Sequence, residues 1–177
     1  MGANIKLVSI FIFLYKECCY LIKGRFYFVK EEYYKIFKDK YLMKNKETIE
    51  GKTHNRPCYY SFLDEKTDLY WLIPISSKIY KYEKIYLNKI QKNGKCDTII
   101  LGKVLGYRKV FLLQNMFPII DKYISNEYID KNQKPVHIDK RLEKEIDEKA
   151  KKVLSLHRQG INLIFPDVEY IEQVLTK

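Results

Sequence analysis

Histidine, glycine and proline are scarce in this chain of 177 residues, with 3 His, 7 Gly and 5 Pro, and the scarcity narrows what it can do. There is no glycine-rich phosphate loop, no H-E-x-x-H pair, no nucleophile elbow and no kinase signature set, so the common nucleotide-binding and protease readings have no support. The four cysteines, Cys18, Cys19, Cys58 and Cys96, form no C-x-x-C pair and no spaced Cys/His set. Neither a metal site nor a disulfide framework is therefore expected, and no cofactor is. Long apolar runs are also missing. Leu7 to Tyr15 is the one segment that suggests a membrane, and its nine residues fall far short of a span before Lys16 and Glu17 close it. No small-residue cleavage site follows. The segment reads as a buried strand or as an extension from a start chosen too far upstream. The expectation is residues 1–24 as an apolar extension and 25–177 as one cytoplasmic domain.

What the chain has in abundance is positive charge and aromatic rings. Its 33 Lys+Arg against 22 Asp+Glu give a formal charge of +11, which points to an anionic partner. With 16 Tyr and 9 Phe interleaved among the cations, the surface suits both neutralising phosphates and stacking on bases. An A·T-rich genome would itself enrich Lys, Ile, Tyr and Asn, so composition leaves the class of anion open. A hydrophobic content of 46% in a chain of this length is enough to close one core.

Along the chain, short strand-like and helix-like stretches alternate without repeats. Arg25 to Val29 reads as a strand, and Lys30 to Met43 as a helix with Tyr33, Phe37 and Tyr41 on one face. Lys44 to Asn55 reads as a polar loop. Pro57 to Leu63 and Asp68 to Ile73 form a predicted hairpin, and Pro74 is expected to release the chain into a loop because it cannot donate to a ladder. Ile79 to Lys92 is a predicted helix carrying Lys78, Lys81, Lys89 and Lys92 opposite its apolar face. Asp97 to Gly102 and Lys109 to Leu113 are strand-like, joined through Gly106, and the second runs on towards Ile119. Asp139 is placed to cap a helix through His157, with Leu142, Ile146, Ala150 and Val153 facing inward. Asp167 to Leu175 supplies a last helix. Strands joined partly by hairpins and partly by helices predict an α+β domain with a mainly antiparallel sheet.

Antiparallel pairing would set the start of the first hairpin strand beside the end of the second, so Arg56 should approach Ser76, Ser77 and Lys78. Two hydroxyls, backbone N–H groups and two cations there suit a phosphate pocket; an ordinary turn fits the same residues. Of the histidines, His137 and His157 read as structural, whereas His54 lies in a polar stretch two residues before Arg56 and is a catalytic candidate. Arg56, Lys78, Lys81, Lys89 and Lys92 are the candidate RNA-binding cations.

The run Pro74-Ile75-Ser76-Ser77-Lys78 resembles the P-L-T-S-P-K loop of the ToxN/AbiQ/CptN endoribonuclease toxins, the protein halves of type III toxin-antitoxin systems. Phe26-Tyr27 followed by Tyr33 is similar to that family's first strand and helix, and Arg56-Pro57-x-Tyr59 to the basic start of its hairpin. Asn115 to Ile120 and Gly160 to Pro166 resemble later landmarks, so the ordered set covers about residues 25–175. The CptN branch is the most similar. One departure is plain: the family pattern places Pro and then Lys after the second hydroxyl residue, whereas here Lys78 follows Ser77 directly and Ile79 takes the usual place. The resemblance implies a compact, strongly twisted antiparallel sheet, Kid/MazF-like and partly barrel-like, flanked by helices. It implies an enzyme that cuts single-stranded RNA without metal, using Tyr33, Arg56, Ser76, Ser77 and a lysine. It also implies antitoxin RNA pseudoknot repeats that neutralise the toxin in a closed protein–RNA complex, with a role in phage abortive infection or plasmid maintenance. The rival class is a basic RNA-binding module that does not cut, and a third is a membrane-surface protein anchored by its N-terminal segment.

Overall fold

A computed structural model of the chain describes residues 21–177, and the apolar segment Leu7 to Tyr15 lies outside the described residues. Strands β1 (Phe26–Val29), β4 (Cys58–Asp64) and β5 (Leu69–Ser76) form the middle of the fold. They are the sequence's densest aromatic and β-branched runs, the residue types that fit a buried pleated surface. Around them lie β6 (Ile99–Val104), β7 (Tyr107–Leu112), β8 (Phe117–Ile119) and β9 (Ile124–Glu127). The seven strands make one sheet in the order β6-β7-β5-β4-β1-β9, with β8 also on β5. Its pairs are antiparallel. The sheet is open, with β6 and β9 at its edges, so the barrel-like closure implied by the resemblance is absent among the described residues.

Helix α3 (Lys140–Arg158) covers one face. As its period predicts, Leu142, Ile146, Ala150 and Val153 are buried, and Asp139 caps it by accepting from the N–H groups of Arg141 and Leu142. These side chains meet Phe26, Tyr59, Trp71 and Phe111 from the sheet. The other face carries α1 (Glu31–Ile36) and α4 (Val168–Leu175) over Tyr27, Val29, Phe117 and Tyr123, and α2 (Ile79–Asn93) over Ile99, Val110 and Leu112. The alternation along β1, Phe26 to one core and Tyr27 to the other, is the two-residue period of a strand buried on both sides.

Several expectations need correction. The helix begun at Lys30 ends at Ile36 rather than Met43. Asp39 is the cause: its carboxylate accepts from the backbone N–H of Tyr41 at 2.6 Å and of Asp167 at 2.7 Å, drawing the chain out of helical geometry. The polar stretch Lys44 to Asn55 contains a second hairpin, β2 (Lys46–Ile49) and β3 (Lys52–Asn55), turning through Glu50 and Gly51, both at positive φ. Strand β5 does not stop at Pro74 but runs to Ser76. Pro74 falls where the neighbouring strand changes, after the Leu72–Phe117 pairing to β8 and before the Ile75–Phe111 pairing to β7, so its missing N–H costs no ladder bond on that edge.

Gly102 on β6 sits under α3: a Cβ there would lie 2.5 Å from Leu142 Cδ2 and 3.1 Å from the Phe111 ring. Gly102→Ala therefore destabilises the domain by about 1 to 3 kcal/mol, the usual cost of overpacking. Chemical denaturation measures it, and combining the change with Leu142→Ala should cost less than the sum of the two.

Candidate active site

The two hairpins converge at one end of β5. In the β4–β5 pair Cys58 lies opposite Pro74, which brings Arg56, just before β4, beside Ser76 at the end of β5, as the antiparallel register predicts. In the β2–β3 pair Glu47 lies opposite His54. Between them stands one buried carboxylate, that of Glu47, with its partners gathered around it. Glu47 Oε1 accepts from the Ser76 hydroxyl at 2.5 Å and from Arg56 Nη2 at 3.2 Å, and Glu47 Oε2 accepts from the Ser77 N–H at 3.1 Å. Arg56 Nη1 donates to the Lys44 carbonyl at 3.0 Å. Glu47 is 6% exposed and Arg56 8%, so this pair is part of the interior. Burial alone would raise the Glu47 carboxyl, but the bonds from Ser76, Ser77 and Arg56 together hold it below the ordinary glutamate range.

Ser76 itself is 1% exposed, with its oxygen also accepting from the Lys78 N–H at 3.2 Å. Its hydroxyl therefore holds the loop rather than facing outward. Ser77 is the one that opens to a cleft. The β5–β7 register, Ile75 to Phe111 and Ser76 to Val110, brings Lys109 beside Ser77, and Lys109 Nζ donates to Ser77 Oγ. Glu47, His54, Arg56, Ser77, Lys109, Tyr107 and Tyr128 line this cleft, whose volume is about 280 Å³. That is the small end of the range for ligand clefts, the scale of a nucleotide rather than of a duplex.

Of the other sequence-predicted site residues, Lys78 is exposed and its side chain does not line the cleft. Tyr33 is 0% exposed, donates its hydroxyl to the Pro118 carbonyl at 2.7 Å and packs among Phe37, Phe117 and Tyr123, away from the cleft. Burial raises its phenol well above the ordinary value. Lys81 and Lys92 lie exposed on α2, whereas Lys89 turns inward to Thr98 Oγ1 at 2.6 Å and Gln114 Oε1 at 3.0 Å. Sequence reasoning missed Glu47, Lys109 and Tyr107. In the sequence only Gly51 and Gly106 mark the two turns that deliver them, and the structure holds both glycines at positive φ.

No family model and no curated protein matches the sequence. Among the solved structures that match is one that aligns over 85% of this chain and 96% of its own at a TM-score of 0.60 and 16% identity. It is AbiQ, described as a lactococcal anti-phage endoribonuclease belonging to the type III toxin-antitoxin system. The fold of this chain is similar to that of AbiQ. Within that AbiQ-like fold, the cleft presents a hydroxyl, an ammonium, a guanidinium and an imidazole around one nucleotide-sized space. Such a set has the chemistry to bind a phosphodiester and to offset added negative charge on it. A larger depression of about 800 Å³, lined by Tyr41, Phe165, Tyr170, Lys38, Lys40 and His157, holds no guanidinium and no hydroxyl paired with an ammonium, and its His157 Nδ1 accepts from the Ile164 N–H. Its Asp39 and Asp167 carboxylates are spent on backbone N–H groups. Among the described residues no group of three or more His, Cys, Asp or Glu is placed to hold a metal ion, and no helix is long and apolar enough to cross a membrane.

Proposed function

We propose that this chain is an endoribonuclease toxin of a type III toxin-antitoxin system, working in the cytoplasm and held inactive by a structured antitoxin RNA. The Ser77–Lys109 pair in a cationic, nucleotide-sized cleft carries the reading. The AbiQ-like fold and the charge of +11 agree with it. The reaction is transesterification within the RNA strand. The ribose 2′-oxygen attacks the adjacent phosphorus, the bond from phosphorus to the 5′-oxygen breaks, and 2′,3′-cyclic phosphate and 5′-OH ends result. The proton of the 2′-OH leaves to a base and the departing 5′-oxygen gains one. Cationic side chains, rather than a metal, supply the charge stabilisation. Ser77 donates its hydroxyl hydrogen to a non-bridging oxygen, because Lys109 occupies a lone pair of Oγ and leaves that hydrogen free. Lys109 opposes the charge of the dianionic phosphorane, with Arg56 behind it. His54, on the cleft wall, supplies the imidazole that relays the proton between the 2′-oxygen and the 5′-oxygen. Glu47 and Ser76 are positioning residues that fix Arg56 and the Ser77 backbone. The antitoxin partner as pseudoknot repeats in a closed complex, and the likeness to the CptN branch, rest on the sequence motifs.

Incubation of the purified full chain with a long single-stranded RNA in EDTA tests the reading. Fragments ending in cyclic phosphate are expected, and Ser77→Ala should slow their formation about 10²- to 10³-fold. An intact, shifted RNA band from the parent protein would make the chain a binding module instead.

A further inference from the structure

We propose that Tyr107 is a base-stacking platform: one nucleotide of single-stranded RNA sits in the cleft with its base on the Tyr107 ring and its phosphate at Lys109 and Ser77. The identity of that phosphate rests on the ribonuclease reading; the stacking itself does not. Tyr107 is 73% exposed, although most aromatic rings among the described residues are buried, and it lines the cleft. Its side chain has no hydrogen bond or ring contact among the described residues. The backbone beneath it is nonetheless fixed. Leu105 and Gly106, at φ 51° and 80°, make a two-residue hairpin turn of the kind that matches strand twist, and Tyr107 opens β7 directly opposite Val104. A ring held on a rigid turn loses little freedom when a base lies on it.

Spacing supplies the second support. Tyr107 and Lys109 are two residues apart on one strand, so they share a face and stand about 7 Å apart along it. Ring, ammonium and the Ser77 hydroxyl thus follow one another in the order in which a base and its phosphate follow along a nucleotide. Tyr128 also lines the cleft and is held in place, its ring set edge-on against Phe26 at 6.5 Å and Phe28 at 5.6 Å between centroids. A base stacked on Tyr107 therefore shares the cleft with a second, immobile ring. Stacking on a single exposed ring tolerates every base, so the preference it sets is graded rather than absolute.

Binding, separated from cleavage, tests the proposal. In the Ser77→Ala background of the full chain, affinities are measured by fluorescence anisotropy for a fluorescein-labelled octaribonucleotide and for versions with an abasic nucleotide at each position in turn. Tyr107→Ala should weaken binding of the intact oligonucleotide roughly 5- to 100-fold, and Tyr107→Trp should restore it. One abasic position should weaken binding to the Tyr107-bearing protein by a similar factor and leave Tyr107→Ala unaffected. Equal binding with and without the Tyr107→Ala change, no rescue by Trp, or a Tyr107→Ala loss that persists at every abasic position would each overturn the proposal. Failure of the nuclease reading is seen separately, as RNA left intact by the parent protein in EDTA.

Discussion

Lys109→Ala is expected to lower RNA cleavage about 10²- to 10³-fold, while Lys78→Ala changes it by no more than about threefold. The two lysines differ in where the fold puts them. Lys78 caps the start of α2, its N–H bonded to Ser76 Oγ and its side chain exposed. Lys109 is half-buried on β7, with its ammonium on the Ser77 hydroxyl. Charge in a partly water-excluded cleft stabilises a developing dianion far more than charge in bulk solvent, because the dielectric around it is lower and the group is already oriented. The loss should fall on kcat and kcat/KM alike, since the phosphorane gains its extra negative charge only in the transition state. Lys109→Arg should recover part of the rate. Steady-state cleavage of a short RNA, with thermal unfolding to show that each variant is folded, measures all three. A large loss in Lys78→Ala with none in Lys109→Ala would return the catalytic lysine to the loop, where the family pattern puts it.

That contrast also marks how far the sequence reaches. Helix α3 is legible because its apolar period and its Asp139 cap agree, and the β4–β5 hairpin because two aromatic strands flank a polar turn. From that hairpin alone the meeting of Arg56 with Ser76 follows by antiparallel register. Three features escape for physical reasons. Strand β3 is exposed along its whole length, Lys52–Asn55, so no alternation of apolar and polar residues announces it, and Glu47 on its partner stays hidden with it. Lys109 reaches Ser77 through a β5–β7 pairing between residues more than 30 apart, which no local signal encodes. Tyr33 and Phe37 do share a face, as their spacing says, but that face is core. Periodicity reports burial and is silent on chemistry.

Glu47→Ala should be the most damaging single change to stability at this end of the molecule, costing about 3 to 5 kcal/mol. The carboxylate lies against a guanidinium as buried as itself, and truncation leaves Arg56 charged and desolvated, with the Lys44 carbonyl as its remaining partner among the described residues. It also frees the Ser76 hydroxyl and the Ser77 N–H, so the loop that aims Ser77 loses its anchor and cleavage falls with stability. Ser76→Ala removes one of these bonds and should cost less, about 1.5 to 3 kcal/mol for a hydrogen bond to a charged group. A Glu47→Met, Arg56→Met double variant should be more stable than the sum of the single changes allows, because it removes the stranded charge. The pH dependence has a fixed sign. The Glu47 carboxyl titrates lower in the folded chain than in the unfolded one, so its contribution is complete above the ordinary glutamate value of about 4.3 and is lost as pH falls through the lower folded value. Asp64 is lowered likewise, against its own burial, by Arg158 and Thr67, so the parent has more than one source of acid lability. Denaturant titrations of parent and Glu47→Ala across that acid range isolate the Glu47 share: the gap between the two curves should narrow as pH falls. A gap that stays constant would show that the carboxylate is not held ionised by Arg56 and Ser76, and the anchoring role would fail with it.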